Sequence, residues 1–193
     1  FNKIAVVGAG LMGAGIAYVQ AKAGIPTVLV DVSKENAEKG KDYARRLVEK
    51  DLSRGKTTQE KGDKLLDLIT TTDSYDDVKG ADLVVEAVFE NPELKAKITK
   101  MAEDVISADA IFGSNTSTLP ITGLAEASQR PENFIGIHFF SPVERMGLVE
   151  IITGEKTSEE TLAKSIDYVL AIRKTPIVVN DSRGFYTSRC FGT

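Results

Sequence analysis

The chain has 193 residues, a net charge of −4 and 42% hydrophobic residues, values that suit one globular domain with a core of its own. Its basic residues are not clustered, which argues against a nucleic-acid surface, and no apolar run approaches the ~18 residues that a membrane span needs. The single cysteine, Cys190, cannot form an internal disulfide, which favours a reducing compartment.

Eight strand-like segments alternate with helix-like segments along the chain. The strands are predicted at KIAVVGAG, PTVLVD, ITTTD, ADLVVEAV, AIFGSN, FIGIHFF, LVEII and TPIVVN, which start at residues 3, 26, 69, 81, 110, 134, 148 and 175. The helices are predicted at residues 11–23, at 34–53, from the break near Gly55 to about Leu68, from Pro92 past Val105, and at 158–171. Strands separated by helices predict an α/β fold with a doubly wound, mainly parallel sheet and helices on both faces, and the closely spaced last strands are compatible with antiparallel pairing.

Two of these helices carry recognisable start signals. Asn91 and Pro92 predict an N-cap and a first-turn residue. Thr157 and Glu160 predict a capping box for helix 158–171. The helix that starts at Pro92 is expected to bury one face, which carries Leu94, Ile98, Met101, Ala102 and Val105.

The segment VVGAGLMGAG places Gly8, Gly10 and Gly13 in a G-x-G-x-x-G pattern between the first strand and the first helix. Gly8 allows the tight turn, Gly10 lets a pyrophosphate approach the backbone, and Gly13 lets the helix pack closely on the strand. The N–H groups at the helix start then face the phosphates. The pattern predicts a Rossmann-type dinucleotide site; the alternative is a glycine-rich turn in a fold that binds another ligand.

Asp31 ends the second strand and supports the dinucleotide interpretation. A carboxylate at this point accepts hydrogen bonds from the adenosine ribose hydroxyls and repels the extra phosphate of NADP. No arginine follows nearby, so the sequence predicts NAD rather than NADP.

The chain has one histidine, His138, near the carboxyl end of the sixth predicted strand. Ligands of doubly wound sheets lie beyond such ends. Glu150 lies in the next strand, LVEII, where a carboxylate among apolar residues needs a partner. An imidazole is a suitable one, because the acid would fix its tautomer and stabilise the imidazolium while the other nitrogen acts on substrate. The alternative is a satisfied core histidine.

Four segments, GAGLMGAGIA, VVEAVFE, SNTSTLPI and HFFSPVERMGLVEII, together resemble the NAD-binding domain of L-3-hydroxyacyl-CoA dehydrogenases. The similarity covers nearly the whole chain, and the histidine–glutamate segment is its most specific part. Ser141 stands where single-function members usually carry asparagine, which is similar to the multifunctional α-subunits of fatty-acid β-oxidation. Those subunits carry an enoyl-CoA hydratase ahead of this domain, which fits a chain that starts without Met.

The resemblance implies a role for particular residues. For catalysis it implies His138 as general base, Glu150 as its orienting partner, and Ser117 on the substrate hydroxyl. For NAD binding it implies Gly8, Gly10, Leu11, Met12, Gly13, Asp31, Val88, Phe89, Glu90, Lys95, Asn115, Ser117 and Ser141. For substrate contacts it implies Ser117, Ser141 and Ser188, although Ser188 replaces an asparagine of the shorter enzymes. No metal site is expected.

Several of these residues also have an ordinary structural interpretation. Glu90 and Asn91 could cap the following helix, and Lys95 could be a solvated helix residue. The stretch SNTST could be a polar loop, and Ser141 before a proline could begin a turn. Cys190 is interpreted as a small tail residue rather than a nucleophile, because the chain has no second histidine to activate it.

The function that the resemblance implies is NAD-dependent oxidation of an L-3-hydroxyacyl-CoA to the 3-ketoacyl-CoA in fatty-acid β-oxidation. Residues 1–183 would form the NAD-binding domain, and residues 184–193 would begin a C-terminal helical domain that closes over the acyl-CoA. A homodimer or a complex with a thiolase subunit is expected, in the bacterial cytoplasm or the mitochondrial matrix.

Two alternative functions stay open. The chain could be an NAD-binding module that is inactive without its C-terminal domain. It could also be a β-hydroxyacid dehydrogenase, since those enzymes favour G-x-G-x-M-G as well. They rely on a catalytic lysine in a later helix, however, and lack a histidine–glutamate pair on successive strands.

Overall fold

The computed structural model describes residues 1–181. The predictions for Ser188, Cys190 and the segment 184–193 lie outside the described residues.

Eight strands and six α-helices make up the described chain. The strands are β1 (Ile4–Val7), β2 (Thr27–Val30), β3 (Ile69–Thr72), β4 (Leu83–Glu86), β5 (Ile111–Ser114), β6 (Phe134–Phe139), β7 (Leu148–Thr153) and β8 (Thr175–Asn180). The helices are α1 (Leu11–Lys22), α2 (Lys34–Ser53), α3 (Gln59–Asp67), α4 (Pro92–Glu103), α5 (Ile121–Leu124) and α6 (Glu159–Ala171). Every predicted strand and helix is present, and the short α5 adds to them.

All eight strands join one sheet in the order β3-β2-β1-β4-β5-β6-β7-β8. Neighbouring strands are parallel except for β6 and β7, which run antiparallel. The short connection between β6 and β7 has no room for a crossover helix, whereas α6 returns the chain so that β8 lies parallel to β7. The predicted doubly wound, mainly parallel Rossmann-type fold is therefore confirmed.

The central strands are buried along their whole length, as expected for a parallel sheet that helices cover on both faces. Alternate residues of β1 enter different apolar clusters. Ile4 and Val6 pack in one cluster, whereas Ala5 and Val7 pack in the other. The two clusters hold the sheet edge, where the polar site residues lie, in a fixed position.

The capping predictions have different outcomes. Asn91 caps α4 by accepting hydrogen bonds from the backbone N–H groups of Glu93 and Leu94, with a proline in the first turn, as predicted. The predicted capping box of α6 is wrong, because Ser158 is the N-cap residue. The Thr157 hydroxyl is engaged elsewhere, since it donates to the Phe134 carbonyl oxygen.

The face predicted for α4 is confirmed in part, since Ile98 and Val105 pack against the apolar core. Ala102 is buried as expected, but Met101 is 37% exposed, and Lys95 and Thr99 are buried in its place. The physical reason is a buried carboxylate beneath the helix, Glu86, which accepts a hydrogen bond from Lys95 Nζ at 2.6 Å. A polar partner inside the fold thus overrides the apolar periodicity of the helix.

Within residues 1–181, no helix is both long enough and apolar enough to span a bilayer.

Candidate active site

Four parallel strands end side by side at one edge of the sheet: β1, β4, β5 and β6. Each is followed at once by residues that the sequence predicts to be functional. The strand order reverses between β1 and β4, which is where doubly wound sheets bind their ligands. The topology therefore brings the predicted residues to one region.

The glycine turn after β1 leads directly into α1. Gly8 has a φ of 102° and donates its backbone N–H to the Val30 carbonyl oxygen at 2.8 Å. A Cβ atom on Gly13 would lie 1.6 Å from the Gly8 carbonyl oxygen, so only glycine allows this approach of helix and turn.

The N-terminus of α1 is open to a ligand. Gly10 is the N-cap residue and makes no side-chain cap, and a Cβ placed on it would meet no atom within 4 Å. In the first turn, Leu11 is 56% exposed and Met12 is half-buried against the core. No acidic residue lies in this turn, so its partial positive charge is available to a phosphate group. These features fit the pyrophosphate of a dinucleotide.

Asp31 follows β2 and is held against the glycine turn. Its Oδ2 accepts a hydrogen bond from the Ala9 backbone N–H at 2.8 Å, and its Oδ1 accepts one from the Val32 N–H at 2.6 Å. Burial raises the pKa of the nearby Tyr75 to about 12, and the charges of Asp31 and Glu86 act in the same direction. The fixed position of the Asp31 carboxylate, just beyond β2, suits a ribose-binding acid.

The segment after β4 carries three predicted NAD contacts. Val88 is half-buried, and Phe89 is 85% exposed. Glu90 does not cap α4; its carboxylate lies 3.4 Å from Lys95 Nζ and accepts hydrogen bonds from Thr116 and Thr118. Lys95 is 1% exposed, so the interpretation as a solvated helix residue is wrong.

The loop after β5 contains Asn115 and Ser117. The backbone N–H of Asn115 donates to the Glu86 carbonyl oxygen at 2.8 Å, and its Oδ1 accepts the Phe139 N–H at 2.8 Å. Asn115 therefore bridges the ends of β4 and β6. Ser117 lies two residues further along and is half-buried.

His138 and Glu150 face each other on the antiparallel strands β6 and β7. The imidazole Nδ1 lies 3.1 Å from Glu150 Oε1, and both residues are buried. A carboxylate can only accept, so this hydrogen bond requires the proton on Nδ1 and leaves Nε2 as the nitrogen that can take a proton. The Phe140 ring packs on the imidazole with a centroid distance of 4.6 Å.

Ser141 is exposed and lies in the loop between β6 and β7. Two side chains from other elements hold this loop through three hydrogen bonds. Lys174 Nζ donates to the carbonyl oxygens of Val143 and Met146 at 2.7 and 2.6 Å, and the Tyr43 hydroxyl donates to Glu144 at 2.7 Å. Burial lowers the pKa of Lys174, whereas the charge of Glu144 raises it.

Sequence reasoning missed Glu86, Ser114 and Phe140 as members of this region. A signal for Glu86 was present, since an acid that ends the apolar strand LVVE needs a buried partner for the same reason as Glu150. Ser114 opens the SNTSTLPI segment, but the sequence does not indicate that its hydroxyl donates to Glu86, as it does in the structure.

The sequence and the fold of this chain match those of known proteins. A sequence profile described as "3-hydroxyacyl-CoA dehydrogenase, NAD binding domain" matches residues 3–182. The chain belongs to the 3-hydroxyacyl-CoA dehydrogenase family. It is 47% identical over 97% of its length to the fatty acid oxidation complex subunit alpha of Psychrobacter arcticus, and 50% identical over 95% to that of Idiomarina loihiensis. It also matches the solved structure of (S)-3-hydroxybutyryl-CoA dehydrogenase from Ralstonia eutropha with a TM-score of 0.95 and 39% identity, over 97% of this chain and 66% of that one.

The match over residues 3–182 fixes the cofactor as NAD and shows that the chain is an NAD-binding domain of this family. The predicted similarity to multifunctional α-subunits is confirmed. The chain spans 26% of the length of these two relatives.

Alanine at Gly10 and at Gly13 of this dehydrogenase domain should act differently. Gly13→Ala forces a Cβ against the Gly8 carbonyl oxygen, so we expect a lower Tm together with weaker NADH binding. Gly10→Ala meets no protein atom, so we expect an unchanged Tm and a loss of NADH affinity of at least about tenfold, because the methyl group occupies space needed by the pyrophosphate. Thermal unfolding and NADH fluorescence titration measure the two effects. Native NADH affinity in Gly10→Ala would contradict the assignment of the phosphate site.

Proposed function

We propose that this chain binds NAD and supplies the general base for oxidation of an L-3-hydroxyacyl-CoA to a 3-ketoacyl-CoA in fatty-acid β-oxidation. The observation that carries the proposal is the buried contact of 3.1 Å between His138 Nδ1 and Glu150 Oε1. It lies at the same sheet edge as the glycine turn and the Asp31 carboxylate. The names of the relatives, an oxidation-complex subunit and a 3-hydroxybutyryl-CoA dehydrogenase, support this substrate class.

His138 is the proposed base for the substrate hydroxyl. The 3-hydroxyl O–H bond breaks, its proton moves to Nε2, and its electron pair forms the C3 carbonyl. NAD, when bound, accepts the hydride that leaves C3. Glu150 holds the Nδ1 proton and stabilises the positive charge that the ring gains, so the ring keeps the required tautomer and orientation.

Ser117 and Ser141 are the proposed polar contacts of the substrate. Ser117 follows β5, the strand that pairs with β6, so its hydroxyl is suited to donate to the reacting oxygen. Ser141 lies in the loop that Lys174 and Tyr43 hold in place. A fixed loop lets the Ser141 hydroxyl favour one substrate orientation.

The cofactor contacts that we propose are those at the strand ends. Gly8, Gly10 and Gly13, with Leu11 and Met12, take the pyrophosphate, and Asp31 takes the adenosine ribose. Val88, Phe89, Glu90, Lys95 and Asn115, with Ser117 and Ser141, surround the nicotinamide end. The open N-terminus of α1 and the fixed Asp31 carboxylate support this arrangement.

We further propose that the acyl-CoA site is completed by a helical domain that follows this one, beginning with residues 184–193. The chain spans 26% of the relatives' length, which supports additional domains in the same polypeptide. The chain alone would then bind NAD with little or no turnover. Association with a thiolase subunit, or as a homodimer, belongs to this proposal, and bacterial relatives favour the cytoplasm as its location.

NADH should bind this chain more tightly than NADPH. The extra phosphate of NADPH would meet the Asp31 carboxylate, so we expect a difference of at least about tenfold in Kd at low salt. Asp31→Asn removes the charge and should narrow that difference, while Asp63→Asn, an exposed acid on α3, should leave it unchanged. Fluorescence titration of the native chain and the two variants with NADH and NADPH measures these differences in Kd. Equal affinity of the native chain for both coenzymes would refute the role of Asp31.

His138→Ala removes the proton acceptor and should lower turnover by about 10²–10⁴-fold. NADH affinity should stay near the native value, because the proposed phosphate and ribose contacts at the glycine turn and Asp31 are unchanged. The assay follows NADH oxidation by acetoacetyl-CoA in the full-length polypeptide. Asp63→Asn serves as the control and should keep the native rate, since this exposed residue of α3 has no contact with the proposed site. An unaltered rate in His138→Ala would reject the histidine as base.

A further inference from the structure

Glu86, the last residue of β4, lies at the centre of a buried hydrogen-bond network. Its Oε2 accepts from Lys95 Nζ at 2.6 Å and from the Val88 backbone N–H at 2.9 Å, and its Oε1 accepts from the Ser114 hydroxyl at 2.7 Å. The residue is 1% exposed. Both oxygens are therefore engaged inside the protein, and the carboxylate links three separate segments: α4, the segment after β4, and β5.

The pairing with Glu86 determines where the Lys95 ammonium lies. Lys95 is as deeply buried as Glu86, and burial of an ammonium group is strongly unfavourable unless a partner compensates. Its other contacts, Glu90 Oε1 and the Val88 carbonyl oxygen, are both longer at 3.4 Å. Glu86 is thus the main anchor of the ammonium group, and Lys95 in turn lies within reach of the partly exposed Glu90.

The segment that the Glu86 carboxylate holds through Val88 lies against the glycine turn. Val7 and Glu86 are paired in register, and the Ala87 N–H donates to the Val7 carbonyl oxygen at 2.8 Å. A Cβ atom on Gly8 would lie 2.6 Å from the Ala87 carbonyl oxygen and 3.3 Å from Val88 Cγ1. Val88, whose N–H donates to Glu86, therefore lies in the segment that packs closely against Gly8.

Glu86 also connects toward the catalytic strand. Its main-chain carbonyl oxygen accepts the Asn115 N–H, and Asn115 Oδ1 accepts the N–H of Phe139, which follows His138. The side chain of Glu86 accepts a hydrogen bond from Ser114 at the end of β5, the strand that pairs with β6. Glu86 is thus linked through β5 and Asn115 to the strand that carries His138.

We propose that Glu86 is a positioning residue of the dehydrogenase, which acts by fixing Lys95 and the segment 87–90 in the geometry that binds NAD. It touches neither coenzyme nor substrate. The inference rests on the proposed function for the roles of Lys95 and Glu90 toward NAD. Its readout is NADH affinity, which is independent of whether His138 is the base.

The test compares NADH affinity and thermal stability of Glu86→Gln, Lys95→Met and the double variant. Glu86→Gln leaves the ammonium without its main anchor, so we expect NADH affinity to fall by about tenfold or more. Glutamine keeps an oxygen that can accept the Val88 N–H, so Glu86→Gln breaks chiefly the contact with Lys95, and the double variant should bind NADH within about twofold of Lys95→Met alone. It should also recover stability relative to Glu86→Gln, because both buried charges are gone.

Glu103→Gln is the matched control. Glu103 lies on the same helix and is also buried, but its Oε2 accepts the Gln129 N–H, at a distance from the strand ends. This variant should lose stability and keep NADH affinity within about twofold of the native chain. Comparison with Glu86→Gln therefore distinguishes a general loss of packing from a change in the geometry that binds the coenzyme.

Three results would overturn the proposal. One is native NADH affinity in Glu86→Gln. Another is a double variant whose loss of NADH affinity equals the product of the losses in the two single variants. Independent effects of this kind would mean that Glu86 does not act through Lys95. The third is an equal loss of affinity in Glu103→Gln. If Glu86→Gln fails to fold, comparison of the charge-free double variant with Lys95→Met carries the same test.

Discussion

The edge of this sheet is constrained by two carboxylates that are almost completely buried, Glu86 and Glu150. A desolvated carboxylate is tolerated only with partners that compensate the loss of water. Glu86 meets this requirement with Lys95, Val88 and Ser114, and Glu150 is paired with His138. Each acid thereby fixes a group that can act on a ligand, an ammonium in one case and an imidazole in the other. The site geometry follows from the need to satisfy these two charges.

Topology decides that both pairs lie at the same edge. The parallel strands β1, β4, β5 and β6 are neighbours, so their carboxyl ends lie together. The antiparallel β7 then returns along β6 in a register that pairs Glu150 with His138. A register shifted by one residue would turn the Glu150 side chain to the opposite face of the sheet. The tight packing of β6, which is buried along its whole length, opposes such a shift.

Much of this arrangement was predictable from the sequence, because it depends on local patterns. The apolar strands, the glycines before α1, the Asn91 cap and the facing of His138 and Glu150 all have local signals. Three features depended on tertiary contacts. The burial of Lys95 requires Glu86 beneath the helix, and periodicity alone assigns a lysine to the surface. The cap of α6 is Ser158 because the neighbouring Thr157 is bound to Phe134. The role of Asn115 as a bridge between strands appears only when β4, β5 and β6 lie side by side.

The central claim is that bound NAD places its reactive ring beside the imidazole that Glu150 orients. A crystal structure of the chain with NADH tests this most directly. We expect the pyrophosphate over the N-terminus of α1, the adenosine ribose on Asp31, and the nicotinamide ring next to His138 Nε2. A coenzyme bound in the reverse direction, or a nicotinamide ring separated from His138 by the width of the sheet, would contradict it.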